Sequence, residues 1–360
     1  MGVRVVVVGA SGNVGTALLR RLAETPQVDD IVGVSRRPPS DGAPYGTARW
    51  VSCDIGSGTA DLVDAFRGAD AVVHLAWQIQ PSQQPRTLRR SNVIGSRNVA
   101  DAVVRAGVPA LVVASSVGVY SPARSTAERV DESYPRDGVS GSLYSRQKAT
   151  VERLLDRVEA DNPDLRVVRL RPGLTFQHDA GGQIARYFLG PLAPVSLLRW
   201  RRVPVLPLPP SLRVQCVHAA DVADAYARAV CSDVRGAFNI ATDPVLDRDT
   251  IARTLDGRAV AVPWAALSWA AAATWMARLQ PTDPGWIWLA MRCPLLDSGR
   301  ARTELGWTPQ YDSVTALIDL LDGMAAGAGT RSPALRPRAG AVDRLAAFAR
   351  GGLPGYGNRY

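Results

Sequence analysis

Tyr144-Ser-Arg-Gln-Lys148 is the stretch whose residue types and spacing first suggest chemistry. Four residues apart on a helix, the two side chains share a face and reach one another. A free phenol titrates near ~10, too high for a base at neutral pH. A neighbouring ammonium stabilises the phenolate, and the tyrosine can then exchange a proton with a substrate hydroxyl or carbonyl. The lysine is singular: of 42 basic residues, 41 are arginine and Lys148 is the remaining one. Arginine stays charged at any accessible pH, whereas lysine is tunable and its compact ammonium can sit beside a phenol. Ser115 and Ser116 follow the apolar run Leu111–Ala114. A hydroxyl at the carboxyl end of a parallel strand can hydrogen-bond the same substrate oxygen.

A second constellation stands near the N-terminus. The apolar run Val3–Val8 leads directly into Gly9-Ala-Ser11-Gly12-Asn13-Val14-Gly15, a GxxGxxG spacing that opens a helix. Glycines there allow a tight turn and close approach of a diphosphate, which the free N–H groups of the helix then meet. Dinucleotide binding is expected. After the second strand come Ser35-Arg36-Arg37, with no carboxylate for the adenosine ribose. An arginine in that place can pair with a 2′-phosphate, so the reading is NAD(P) with a lean toward NADP. Asp54-Ile55 should meet the adenine edge, and Leu75-Ala76, after His74, should line the diphosphate and nicotinamide ribose.

These residues need a frame that brings strand ends together. The first 170 residues alternate between strand-like and helix-like segments, the pattern of a parallel sheet covered on both faces. Apolar runs fall at Val3–Val8, Ile31–Val34, Trp50–Cys53, Ala71–Leu75, Leu111–Ala114 and Val167–Leu170. Helical patterns lie at Asn13–Glu24, Asp61–Phe66, Leu88–Ala106 and Tyr144–Glu159. The fold class is therefore α/β, a Rossmann-type doubly wound parallel sheet with a smaller C-terminal substrate-binding lobe. Residues 1–175, with about 214–242, form the NAD(P)-binding domain. The lobe takes about 176–213 and 243–322, and 323–360 is a basic, loosely ordered tail. A strand is expected at Ala237–Ala241 and a last helix over about 313–324. From Ala259 to Ala277 there are 19 residues without charge, but Pro263 interrupts them and alanine dominates. We read a strand and then a helix lining an apolar pocket, with no stable membrane insertion.

Composition excludes several classes. Cys53, Cys216, Cys231 and Cys293 are scattered without a CxxC pair, against a zinc site or a disulfide framework. No metal is expected. The net charge of +9 is concentrated at the end, where residues 331–360 carry six arginines against Asp343. A basic knot also occurs at Arg199, Arg201 and Arg202. The tail has no aromatic–basic interleaving of the kind a nucleic-acid binder shows. Without a signal peptide in view, a cytoplasmic location is expected.

Taken in order, the glycine-rich turn, strand-end serine and YxxxK resemble the short-chain dehydrogenase/reductase superfamily, in particular its extended branch of nucleotide-sugar epimerases and dehydratases. The resemblance spans about residues 3–322. It rests on GASGNVG, Asp54-Ile55, HLAW at 74–77, Asn92-Val-x-Gly95, SSVGVY at 115–120, YSRQK, Arg171-Pro172-Gly173, VHAADVADA at 217–225 and LGWTP. It implies Ser116 as the catalytic serine, Tyr144 as acid/base and Lys148 on the nicotinamide ribose. Ser115 and Asn92 fall among the cofactor contacts by the same likeness. Arg292 looks like the arginine that holds a nucleotide-sugar diphosphate. A homodimer through the helices at 88–106 and 144–159 is also implied. The sequence departs from the dehydratases, which carry an Asp-Glu pair where this chain has Val117 and Gly118; dehydration is therefore not expected. Arg213 is displaced by one residue from the family position. Val117, His178 and Arg292 are the candidate substrate contacts, whereas His218 in the VH motif reads as structural. Trp264, Trp269, Trp275, Trp286 and Trp288 hint at a larger apolar substrate portion or at ordinary core aromatics.

The expected function is an NAD(P)-dependent oxidoreductase or epimerase acting on a carbinol or carbonyl carbon of a small molecule, such as a nucleotide sugar. Two alternatives stand beside it. One is an NADPH-dependent reductase of a more apolar ketone or aldehyde. The other is a dinucleotide sensor without catalysis.

Overall fold

The computed structural model describes residues 2–80, 82–190, 195, 198 and 203–340. Its centre is one seven-stranded sheet. We label its strands β1 (Val3–Val8), β2 (Val28–Ser35), β3 (Arg49–Ser52), β4 (Ala71–His74), β5 (Ala110–Ala114), β6 (Arg166–Pro172) and β7 (Gly236–Ile240). The order across the sheet is β3-β2-β1-β4-β5-β6-β7, every neighbouring pair parallel. Continuous apolar runs suit this arrangement because both faces are covered. Val5, Val6 and Val7 of β1 are wholly buried, Val5 and Val7 in one core and Val6 in the other.

One core packs the sheet against α1 (Asn13–Ala23) and α5 (Ala219–Val230). The opposite core packs it against α2 (Ala60–Phe66), α3 (Gly95–Ala106) and α4 (Leu143–Asp161). The expected single helix at Leu88–Ala106 is in fact interrupted. Pro85–Arg89 passes through a π-helical stretch, Arg90–Ile94, before α3 begins. The strand order reverses between β1 and β4, and doubly wound sheets open a ligand crevice at that point beyond the strand ends.

Beyond the sheet lie smaller elements, including two-stranded pairings such as Val205–Leu208 with Arg258–Ala261. Helices α6 (Trp264–Met276) and α7 (Gly285–Arg292) follow, then α8 (Ser313–Ala326). The LGWTP motif is explained by packing. Trp307 is wholly buried and its indole donates to the Asp221 carbonyl at 2.8 Å, while the Asp221 carboxylate accepts from the Gln310 and Tyr311 amides.

As far as it is described, the segment after 323 has buried anchors and specific hydrogen bonds. Residues 323–326 complete α8, Leu335 is wholly buried, and Ser332 Oγ donates to the Ser11 carbonyl at 2.6 Å. Tyr45 and Thr330 share a hydrogen bond of 2.6 Å, and Arg331 donates to the Asp41 carbonyl. The rest of the tail, with Arg344, Arg350 and Arg359, lies outside the described residues, as do Arg199, Arg201 and Arg202. The expected strand and helix between 259 and 277 do form, but α6 is largely exposed rather than buried against a pocket. Among the described residues no helix is long and apolar enough to cross a membrane.

Candidate active site

The glycine-rich turn joins β1 to α1. Gly9 has φ +88°, and a Cβ there would stand 2.6 Å from the Ala76 amide nitrogen. Gly15 is constrained by packing: a Cβ would meet the Gly9 carbonyl at 2.4 Å. Gly12 caps α1 in extended conformation without a side-chain cap, so the first N–H groups of that helix are left to an external acceptor. Ser35 Oγ, at the end of β2, is buried with no hydrogen-bond partner in the described structure. A cradle that a Cβ would fill and an orphaned hydroxyl fit a dinucleotide laid over this edge.

Other expected cofactor residues fall nearby, several already engaged. Asn13 holds Gln177 and the Thr175 carbonyl, while Val14 packs on the sheet. Arg36 and Arg37 are exposed at the end of β2. Asp54 pairs with Arg90 at 2.9 Å; burial pushes its carboxyl up, but the Gly56 amide and Arg90 more than offset this and hold it down. Ile55 packs where a Cβ on Gly95 would collide. Leu75 and Ala76 form the wall opposite Gly9. Asn92 is buried and clamps the loop after Trp77, accepting from the Gln78 amide at 2.7 Å and donating to its carbonyl at 2.8 Å.

Ser116, Tyr144 and Lys148 do come together. Ser116 begins a short 3-10 turn after β5, its hydroxyl accepting from the Gly118 amide at 3.0 Å. Ser142 caps α4, which carries Tyr144 and Lys148 one turn apart into the sheet edge. Gly118 has a specific reason to lack a side chain, since a Cβ would lie 3.1 Å from the Tyr144 ring.

The electrostatics differ from the expected ammonium–phenol pairing. Burial pushes the Tyr144 phenol up to about 12, partly countered by the neighbouring Ser116 hydroxyl. Burial likewise draws the Lys148 ammonium down to about 7. Both charged forms are desolvated, so each group is driven toward neutrality. The Lys148 ammonium donates to the Ala114 carbonyl at 2.6 Å and lies 3.7 Å from the Trp77 ring centroid, but 5.9 Å from that of Tyr144.

A buried acid that sequence reasoning missed stands behind the trio. Glu152 accepts from Ser115 Oγ at 2.5 Å and from Arg171 at 2.9 and 2.7 Å. Burial would push it up, yet Arg171 and Ser115 hold it down to about 2. Ser115 thereby directs its hydroxyl proton to Glu152. The available signal was spacing: Tyr144, Lys148 and Glu152 recur every fourth residue. Aromatic rings complete the wall. Trp286 packs on Tyr144 with centroids 4.8 Å apart, Phe188 sits 5.1 Å from Trp286, and Trp77 meets Tyr144 edge-on at 5.9 Å.

The proposed substrate contacts separate. Val117 supports the turn beside Tyr144. His178 is exposed, its ring near Asp179 and its amide bonded to Asp319. Arg292 is exposed at the end of α7, over Trp264 and Trp288 at 5.7 and 4.8 Å. His218 caps α5 and pairs with Asp319, a structural role.

Comparison with known proteins places the chain. It matches the NAD dependent epimerase/dehydratase family over residues 5–241 and belongs to that family. An uncharacterized protein of Mycobacterium tuberculosis is 27% identical over 89% of this chain and 83% of its own length. A UDP-glucose 4-epimerase of Azospirillum brasilense is 25% identical over 88% of this chain and 90% of its own. Among solved structures, a UDP-glucose-4-epimerase from Stenotrophomonas maltophila, with bound NAD and formylated UDP-arabinopyranose, shares the fold at a TM-score of 0.68. It is 20% identical over 90% of this chain and 98% of its own.

Proposed function

We propose that this chain transfers a hydride between NAD(P) and a carbinol or carbonyl carbon, with Tyr144 as the proton-transfer group. The carrying observation is that the turn holding Ser116, at the carboxyl end of β5, packs on Tyr144 beside the glycine cradle, since a Cβ on Gly118 would lie 3.1 Å from the Tyr144 ring and 3.4 Å from Ser116 Oγ. Gly9, Gly12, Gly15 and the start of α1 would hold the diphosphate, with Ser35 and Ala76 along the same edge. Arg36 and Arg37 would meet a 2′-phosphate, the basis for preferring NADP. When bound, the nicotinamide supplies or accepts the hydride. Tyr144 gives or takes the hydroxyl proton, Ser116 steadies that oxygen, and Lys148 binds the nicotinamide ribose from its place beneath the ring of Trp77. A phenol near 12 is a ready proton donor to a carbonyl; oxidation requires that a positive charge beside it lower that value.

Similarity to UDP-sugar epimerases supports a nucleotide sugar as substrate, with Arg292 as its diphosphate contact and residues 176–213 and 243–322 as its lobe. The aromatic wall of Trp77, Trp286 and Phe188 favours the second reading, a reductase of an apolar ketone. Dinucleotide released from the denatured protein distinguishes the two. Retained NAD supports an epimerase that never releases its cofactor; an empty protein that prefers NADPH supports a reductase. Tyr144→Phe should bind the dinucleotide normally yet lose about 10³-fold in turnover of any substrate found. Undiminished turnover would remove Tyr144 from the mechanism.

A further inference from the structure

Helix α6 has thirteen residues, carries no charge, and buries only Ser268. Ala266, Trp269, Ala273 and Met276 follow at helical spacing on one exposed face. Trp269 is 77% exposed and Met276 68%, and Leu279, three residues further on, is 60% exposed. A helix that is apolar all round normally belongs in a core or in lipid. A contiguous apolar surface of this kind marks an interaction site.

Charge decides what covers it. Between Asp256 and Asp283 there is no acidic residue, and the two charges in that interval are Arg258 and Arg278, both exposed. A second copy packed about a two-fold axis would bring the same basic rim against itself. An anionic headgroup layer complements it instead, and tryptophan favours the boundary between headgroups and acyl chains. Thirteen residues at 1.5 Å each give about 20 Å, short of a hydrocarbon layer of about 30 Å, so the helix would lie in the interface rather than span it.

We propose that α6 docks this chain peripherally on an anionic lipid surface. Trp269, Met276 and Leu279 enter the headgroup–acyl boundary, and Arg258 and Arg278 meet the lipid phosphates. The same helix is joined to the loop that lines the candidate cleft: the Trp275 indole donates to Ser82 at 2.8 Å, and Gln83 donates to the Trp275 carbonyl at 2.7 Å. The inference rests on this surface and not on the reaction assigned to the site.

Flotation of the full chain with phosphatidylcholine–phosphatidylglycerol vesicles tests it, with phosphatidylcholine vesicles as the control. The wild type should float with the anionic vesicles. The triple variant W269S/M276S/L279S, altered at exposed positions and checked by circular dichroism for native folding, should float about tenfold less. Undiminished binding by the variant would assign lipid affinity to the basic tail and overturn the proposal. Failure of the wild type to float would overturn it as well. So would a change from dimer to monomer in the variant without vesicles, since that would put a second copy on this face.

Discussion

Glu152 is one helical turn beyond Lys148 and carries two strands' worth of partners: Ser115 after β5 and Arg171 within β6. Arg171 and Glu152 are both almost wholly buried, each at 2% side-chain exposure. Breaking such a pair from one side leaves an uncompensated charge, so Glu152→Gln should cost about 3 kcal/mol in urea unfolding. The carboxyl is held at about 2, below its ordinary 4.5. Its contribution is therefore complete above the ordinary value and lost as pH falls toward the lower one. The gap between wild type and variant should close over that acidic window; a pH-independent gap would mean that the charge is not the cause. Tyr144, Lys148 and Ser116 were legible in the sequence because their types and spacing are local. Glu152 was not, because its partners lie 37 and 19 residues away. The balance between Tyr144 and Lys148 was also hidden, since spacing reports proximity but says nothing of desolvation.

At the scale of elements, the β1–α1 turn is the most demanding piece of backbone. A side chain on Gly9 meets both a left-handed φ and the Ala76 backbone. Gly9→Ala should destabilise the fold by about 1–3 kcal/mol and abolish dinucleotide binding, read by urea unfolding and by titration with NAD(H) and NADP(H). Normal affinity in a folded variant would move the cofactor away from this turn. The strands were legible because burial on both faces leaves an unbroken apolar run, as in β1. The break before α3 was not, because a π-helical stretch keeps nearly the same apolar spacing as the helix around it. The exposure of α6 was equally hidden, since an uncharged segment reads the same whether it faces a core or a surface.

Over the whole molecule, the described segment after α8 returns to the glycine-rich turn that follows β1. Leu335 is its buried anchor, and Leu335→Ala should cost about 2–3 kcal/mol by urea unfolding. A loss under half of that would show the segment to be loosely held. Its composition, rich in arginine, proline and glycine, concealed this packing. A leucine and scattered hydrogen bonds hold it, and such contacts leave no periodic trace. The distribution of lysine has a different use at this scale. Besides the α-amino terminus, the chain offers amine-directed reagents a single target, and it lies at the cleft with an ammonium drawn down to about 7. Near neutral pH a substantial fraction of that amine is unprotonated and nucleophilic. Acylation of the intact protein can therefore add two mass increments, one at the α-amino terminus and one at Lys148: the second reports whether the cleft is open, and its suppression reports that a ligand has moved in.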